Sequence, residues 1–179
     1  MEQEHITTYN SLLSRVGFNM NEMLDSIENN TYPIEYVMSV ALSTQQPQAR
    51  LSCWVISHYL QRGHSIEPYI NEAISFLQYT THSGQTREIL RWLTLCKPNQ
   101  SHNLGELLDM CMNFLADMTQ PTGVICHAIN IVEEIAKHEP DIVPEFAAIL
   151  TDISPYLTVG GTNKIKKLLA HYEKMGLLV

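Results

Sequence analysis

Residues 34–41 read IEYVMSVA, and the spacing of apolar side chains in this stretch decides how the chain folds. The apolar residues recur at intervals of three and four, which is typical of one face of an α-helix. Three later stretches repeat the same pattern, so that four apolar quartets follow one another at intervals of 36–39 residues. The quartets are Ile34, Val37, Met38 and Ala41; Ile70, Ala73, Ile74 and Leu77; Leu107, Met110, Cys111 and Phe114; and Phe146, Ile149, Leu150 and Ile153.

A second apolar helix is expected after each quartet, at about residues 47–61, 85–96, 122–137 and 162–174. Pro33, Pro68 and Pro144 stand just before three of the quartets, where proline suits the first turn of a helix. No stretch alternates between apolar and polar residues as a strand would. The sequence therefore predicts an all-α protein. A helix pair with this period is typical of an α-solenoid, in which neighbouring pairs share one core.

Two further helices are expected before the repeats. Their apolar stripes are Ile6, Tyr9, Leu12, Leu13 and Val16 for the first, and Met20, Met23, Leu24 and Ile27 for the second. We therefore predict one domain over residues 1–179, with cap helices in 1–31 and about four helix pairs in 33–174. Its fold class would be a right-handed α-α superhelix.

Composition and charge narrow the class of protein. The chain has 179 residues, of which 45% are hydrophobic and 17% charged, and this balance excludes disorder by composition. A net charge of −8 argues against a dedicated nucleic-acid binder. There is no apolar run long enough for a bilayer, and the N-terminal MEQEH lacks the apolar segment of a secretory signal. The four cysteines form no Cys-x-x-Cys pair, so we expect free thiols in a cytoplasmic protein.

Several short stretches resemble the HEAT family of helical repeats. They are YNSLL (9–13), NNTYP (29–33), CWVI (53–56), EPYI (67–70) and VPEF (143–146). The resemblance covers roughly residues 33 to 174. More specifically, the chain resembles a group of short bacterial HEAT-like proteins that are often labelled adenylosuccinate lyase. Because these are packing and turn residues, the resemblance implies a HEAT/ARM-like fold and says little about activity.

Lyase chemistry is not expected from the residues. Enzymes of the fumarase/aspartase superfamily use a serine-rich loop of the type Ser-Ser-x-Met-Pro-x-Lys-x-Asn-Pro. This chain has no such run, since Asn163 and Lys164 are followed by Ile165. The acidic pairs at 133–134 and 139–141 are interpreted as solvated charges. We therefore predict no catalytic residue and no cofactor.

Eight histidines raise the question of a metal site: His5, His58, His64, His82, His102, His127, His138 and His171. Zinc requires three or four ligands that converge on one point, usually with a recognisable spacing. No His-Glu-x-x-His motif occurs, and the neighbours Cys126 and His127 point to different faces of a helix. We predict no metal ligand.

Arginines provide the candidate binding residues. Arg50 and Arg87 occupy matching places in the second helices of two successive pairs, which we call partner helices. Arg91 lies one turn after Arg87. If the partner helices line the concave side of the solenoid, these three side chains would face the carboxylates or phosphates of a bound molecule. Alternatively, the arginines pair with acids of a neighbouring repeat, such as Asp109, or cap a turn. Trp54 and Trp92 are each expected in the core.

Lys164, Lys166, Lys167 and Lys174 form a basic edge on the last helix. A polar outer face suits a capping repeat, and contact with nucleic acid is the alternative.

The predicted function is a non-catalytic protein-interaction or scaffold module whose partner is another protein. This prediction depends on the concave recognition surfaces that solenoids usually form. The alternatives are a nucleic-acid-binding HEAT-like protein of DNA-repair type and an enzyme, as the lyase label implies.

Overall fold

The computed structural model describes Tyr9, Ser11, Leu13 and residues 18–178. Within these residues the regular structure is helical and no β-strand occurs, so the all-α prediction is confirmed. The helices are α1 (Met20–Glu28), α2 (Ile34–Ala41), α3 (Gln48–Gln61), α4 (Ile70–Phe76), α5 (Ser83–Cys96), α6 (Leu104–Ala116), α7 (Thr122–Ala136), α8 (Val143–Ile153) and α9 (Val159–Lys174). Short 3₁₀ turns at Glu67–Tyr69, Pro140–Ile142 and Ser154–Tyr156 precede α4, α8 and α9.

Each apolar quartet is followed by the second helix that the sequence predicts, and α2 packs against α3, α6 against α7 and α8 against α9. The quartets lie on α2, α4, α6 and α8, with Leu77 just past the end of α4. The prolines also have the expected places: Pro33 caps α2, Pro144 is in the first turn of α8, and Pro68 is in the 3₁₀ turn before α4. The backbone N–H that proline lacks costs no hydrogen bond at these positions, because the first N–H groups of a helix have no intrahelical acceptor.

The second of the two predicted N-terminal helices is confirmed as α1. The side chain of Asn19 caps it by accepting a 3.0 Å hydrogen bond from the backbone N–H of Asn21. Of the first predicted helix, Tyr9, Ser11 and Leu13 are helical, and its other residues lie outside the described part of the chain. The hydroxyl of Tyr9 is 2.9 Å from Oγ of Ser52, so Tyr9 packs against α3.

The chain divides into two compact units, residues 1–96 and residues 97–179. In the first unit, α3 packs against α1, α2 and α5. Because α3 and α5 are the second helices of successive pairs, neighbouring repeats stack second helix on second helix. Val37, Met38, Ile56, Ile74 and Leu90 are buried in this core.

In the second unit, α6 packs against α7 and α8, and α8 packs against α9. Here the first helices of successive pairs, α6 and α8, are in contact. Leu107, Val132, Phe146 and Leu150 are buried, and each such side chain stabilises the fold by about 1.5–3 kcal/mol. Each unit therefore has the shared core that repeat stacking predicts, while the single domain over residues 1–179 stays a prediction.

Candidate functional site: an arginine row on two partner helices

Helices α3 and α5 lie side by side and run in the same direction. Near their N-terminal ends, a Cβ atom on Gly84 would lie 3.0 Å from Cδ of Arg50. Further along, the hydroxyl of Ser57 donates a 2.6 Å hydrogen bond to Oε2 of Glu88. Since position 50 is beside 84 and position 57 is beside 88, the two helices are parallel, as equivalent helices of stacked repeats are.

Glu88 is a buried carboxylate in this interface, with 3% of its surface exposed. Its Oε1 accepts hydrogen bonds from Nε (3.2 Å) and Nη2 (2.8 Å) of Arg87. Its Oε2 accepts the hydroxyl of Ser57 and lies 3.5 Å from Nη1 of Arg91. A carboxylate is tolerated out of water only when it is paired and hydrogen-bonded. Glu88 therefore holds the guanidinium groups of two arginines beside one another.

Two more buried polar side chains attach α5 to its neighbours. The indole N–H of Trp92 donates to the carbonyl oxygen of Cys53 (3.0 Å) and to Oγ of Ser57 (3.1 Å). The side-chain amide of Gln85 donates to the carbonyl oxygen of Ala41 at 2.8 Å. Because these groups are satisfied, their burial is tolerated and they orient α5 relative to α2 and α3.

Arg50, Arg87 and Arg91 come together on one side of this helix pair, and we call them the arginine row. Positions 84, 87 and 91 share one face of α5, and Arg50 reaches that face from α3 across Gly84. The side chains of Arg87 and Arg91 are 50% and 28% exposed. The structure thus groups the three predicted binding residues, and their contact with a partner stays a prediction. The acid that lies beside Arg87 and Arg91 is Glu88 of the same helix, a residue that the sequence analysis did not single out.

The arginine row lies on two helices with almost no negative charge. The sequence of α3 contains no acidic residue, and that of α5 contains only Glu88, whereas the chain as a whole carries a net charge of −8. The local charge is therefore positive on an acidic protein, which favours an anionic partner at this surface.

Trp54 corrects the prediction that both tryptophans lie in the core. Trp92 is fully buried, but Trp54 is 38% exposed. Its ring centroid lies 6.1 Å from that of Phe18 and 5.3 Å from that of His58. Successive side chains of a helix turn through about 100°, so the burial of Val55 and Ile56 next to it does not bury Trp54.

Within the described residues, no group of three histidine, cysteine or acidic side chains is placed to hold a metal ion. His5 lies outside that part of the chain. All four cysteines are free thiols, of which Cys53 and Cys111 are buried. Burial raises the pKa of both of these thiols, and the charge of Glu88 raises the pKa of Cys53 further, which keeps them protonated and unreactive.

One lysine of the basic edge on the last helix, Lys164, contacts α7 within the second unit. Nζ of Lys164 lies 3.1 Å from a carboxylate oxygen of Glu133 and donates a hydrogen bond to Oδ1 of Asn130, so it connects α9 to α7. An open cleft of about 550 Å³ lies next to this contact, and its lining includes Glu133, Gly160, Lys164, Lys167, Leu168 and His171. The contact with α7 agrees with a helix that covers the core.

The stacked helix pairs define a helical-repeat protein of the α-solenoid class. A family model described as HEAT repeat domain matches residues 10–171, and the chain belongs to that family. A search of the curated proteins and a search of the solved structures found no match. The lyase label is supported by no relative. None of the described helices has both the length and the apolar character needed to cross a membrane.

Proposed function

We propose that this protein is a non-catalytic interaction module and that the arginine row contacts a partner protein. HEAT repeats generally mediate protein interactions, and membership of the family supports this class of function. The observation that carries the proposal is the shared carboxylate of Glu88, which orders Arg87 and Arg91 at a partly exposed face. Side chains that are already ordered lose less conformational entropy when a partner binds.

The ordered guanidinium groups keep hydrogen-bonding capacity for a partner. Each guanidinium carries five N–H donors. Glu88 engages two nitrogens of Arg87 and one of Arg91, which leaves further donors on both side chains. Arginine binds carboxylates with two parallel hydrogen bonds, so acidic side chains of a partner are the expected counterparts.

Nucleic-acid binding is the competing function, because exposed arginines beside the exposed ring of Trp54 also suit stacked bases. The net charge of −8 opposes a long polyanion, and α3 and α5 add no lysine to the arginine row. Lyase activity has no support from a relative and forms no part of the proposal. We place the protein in the cytoplasm, where its four thiols would remain reduced.

The proposal is tested by immobilising the full-length protein and identifying what it retains from a lysate of its own cells by mass spectrometry. Three baits are compared: the wild type, the double variant Arg50→Gln/Arg87→Gln, and the control Lys166→Gln/Lys167→Gln. The first variant leaves Arg91 beside Glu88, so that the buried carboxylate keeps a cation. The control removes the same charge from α9, and circular dichroism checks that all three baits are folded.

We expect a defined protein that the wild type and the lysine control retain and the arginine variant loses. A wild type that retains no specific protein overturns the interaction function. Equal retention by all three baits overturns the assignment to the arginine row. Retention that nuclease treatment abolishes replaces the proposal with nucleic-acid binding.

A further inference from the structure

We propose that the arginine row and Trp54 form one two-part surface for an acidic protein segment that carries a large apolar side chain among its carboxylates. This inference rests on the proposed function and names the chemistry of the partner. It is argued from the position of Trp54, from the neighbouring apolar side chains and from the charge of the two helices.

Trp54 lies on the same face of the helix pair as the arginine row. On α3, Trp54 follows Arg50 by one helical turn, so the two side chains share a face. Because position 50 is beside 84 and position 57 is beside 88, Trp54 is level with the middle of the segment 84–91 of α5. Trp54 is therefore one turn from Arg50 on its own helix and faces the same side of the helix pair as Arg87 and Arg91, while its ring lies against Phe18 and His58.

The partly exposed indole packs against two other rings. Phe18 and His58 lie against it, with ring centroids at 6.1 Å and 5.3 Å. A separate exposed apolar side chain, Leu95, is 45% exposed and follows Arg91 by one turn on α5. A partly exposed tryptophan beside arginines is the composition that dominates binding energy at protein interfaces.

The spacing of the cations favours a short acidic segment. Side chains one turn apart on a helix have Cβ atoms about 5–6 Å from one another. Arg87 and Arg91 are therefore spaced for two carboxylates on one side of a peptide, and Trp54, on the neighbouring helix, would accept an apolar side chain of the same segment. A short peptide has few charges to be repelled by the net charge of −8, unlike an extended nucleic acid.

The test uses the full-length protein and fluorescein-labelled synthetic probes in anisotropy titrations. The first probe is a peptide of alternating glutamate and aspartate with one central phenylalanine. The second has serine in place of the phenylalanine, and the third is an oligothymidylate of the same charge. We expect the phenylalanine peptide to bind more tightly than the other two, and its affinity to fall with added salt.

The variants assign the binding to this surface. We expect Trp54→Ala, Arg50→Gln and Arg87→Gln each to weaken the phenylalanine peptide about tenfold, the effect of one lost charged hydrogen bond or aromatic contact. The matched controls Tyr156→Ala, at a side chain that is 74% exposed in the second unit, and Lys166→Gln should leave the affinity unchanged. Circular dichroism and the melting temperature of each variant separate loss of binding from loss of folding.

Three results would overturn the inference. They are equal affinity for the serine and phenylalanine peptides, tighter binding of the oligothymidylate, and no binding of either peptide. These failures are distinguishable from failure of the proposed function, because the lysate experiment reports retention of a protein whether or not it binds through an acidic segment. If the wild type and the arginine variant retain a protein equally, the interaction function is supported but its assignment to this surface is wrong.

Discussion

The hydroxyl of Ser57 in α3 donates a 2.6 Å hydrogen bond to the buried carboxylate of Glu88 in α5. This bond joins the second helices of two successive repeats, and the same carboxylate holds Arg87 and Arg91. One side chain thus links the packing of the first unit to the arrangement of the arginine row. Substitution of Glu88 should therefore affect both stability and binding.

We expect Glu88→Ala to lower the free energy of unfolding by about 2–3 kcal/mol, because Ser57 loses its acceptor and Arg87 its charged partner. The figure is below that of a fully buried ion pair, since Arg87 is half exposed and solvent screens the interaction. Glu88→Gln keeps the shape and one acceptor oxygen, so its cost should be about half as large. Urea unfolding monitored by circular dichroism measures both, and equal stability of wild type and Glu88→Ala would contradict the prediction.

The two tryptophans should differ in stability and in solvent access. Trp92→Phe leaves the carbonyl of Cys53 and the hydroxyl of Ser57 without the indole donor and should cost about 1–2 kcal/mol. Trp54→Phe removes part of a side chain that is 38% exposed and should stay within about 0.5 kcal/mol of wild type. Acrylamide should quench wild-type fluorescence in part and that of Trp54→Phe very little. Strong quenching of Trp54→Phe would place Trp92 at the surface.

A charged cluster ties the end of α3 to α1 and should make stability depend on pH. Nη1 of Arg62 lies 2.8 Å from Asp25 and 2.9 Å from Glu28. Hydrogen bonds from Arg62 and then from His64 lower the pKa of Glu28 below its ordinary value of 4.5. A lowered pKa in the folded state stabilises the protein above the unfolded pKa, and this contribution is lost as the pH falls through the folded pKa.

Arg62→Gln should therefore be less stable than wild type at about pH 6, with the difference shrinking towards about pH 3. Urea unfolding at a series of pH values measures the difference, and an NMR titration of the Glu28 carboxylate measures its pKa directly. Because the cluster is at the surface, added salt should also reduce the difference. A difference that does not change with pH would exclude this carboxylate as its source.

The single-domain prediction can be tested by measuring whether the two compact units unfold together. Ile74 and Phe146 are fully buried, one in each unit, and replacement by alanine should cost about 2–5 kcal/mol. If residues 1–179 form one domain, calorimetry should show one transition that either substitution moves to lower temperature. Two transitions, with each variant shifting only one of them, would define two domains. Tyr156→Ala serves as the exposed control.

The helices and their order along the chain were predictable because their signal is local. An apolar quartet at positions i, i+3, i+4 and i+7 describes one helix face, and its recurrence describes the repeat. The same reasoning failed for Trp54, whose neighbours in sequence are buried while its own side chain lies partly at the surface. Gln85 and Glu88 were missed because polar residues are ordinarily exposed. Their spacing to Trp92, at positions i, i+3 and i+7, was a signal that they share its buried face.

Local periodicity in the sequence was sufficient for the helical class and for the order of the repeat helices. The tertiary packing of α3 against α5 decided that Glu88 is buried, that Arg50 packs over Gly84 on the face that carries Arg87, and that Trp54 stays partly exposed. The physical reason is that a helical pattern specifies which residues share a face. The register between two helices instead depends on side chains distant in sequence, such as Ser57 and Glu88.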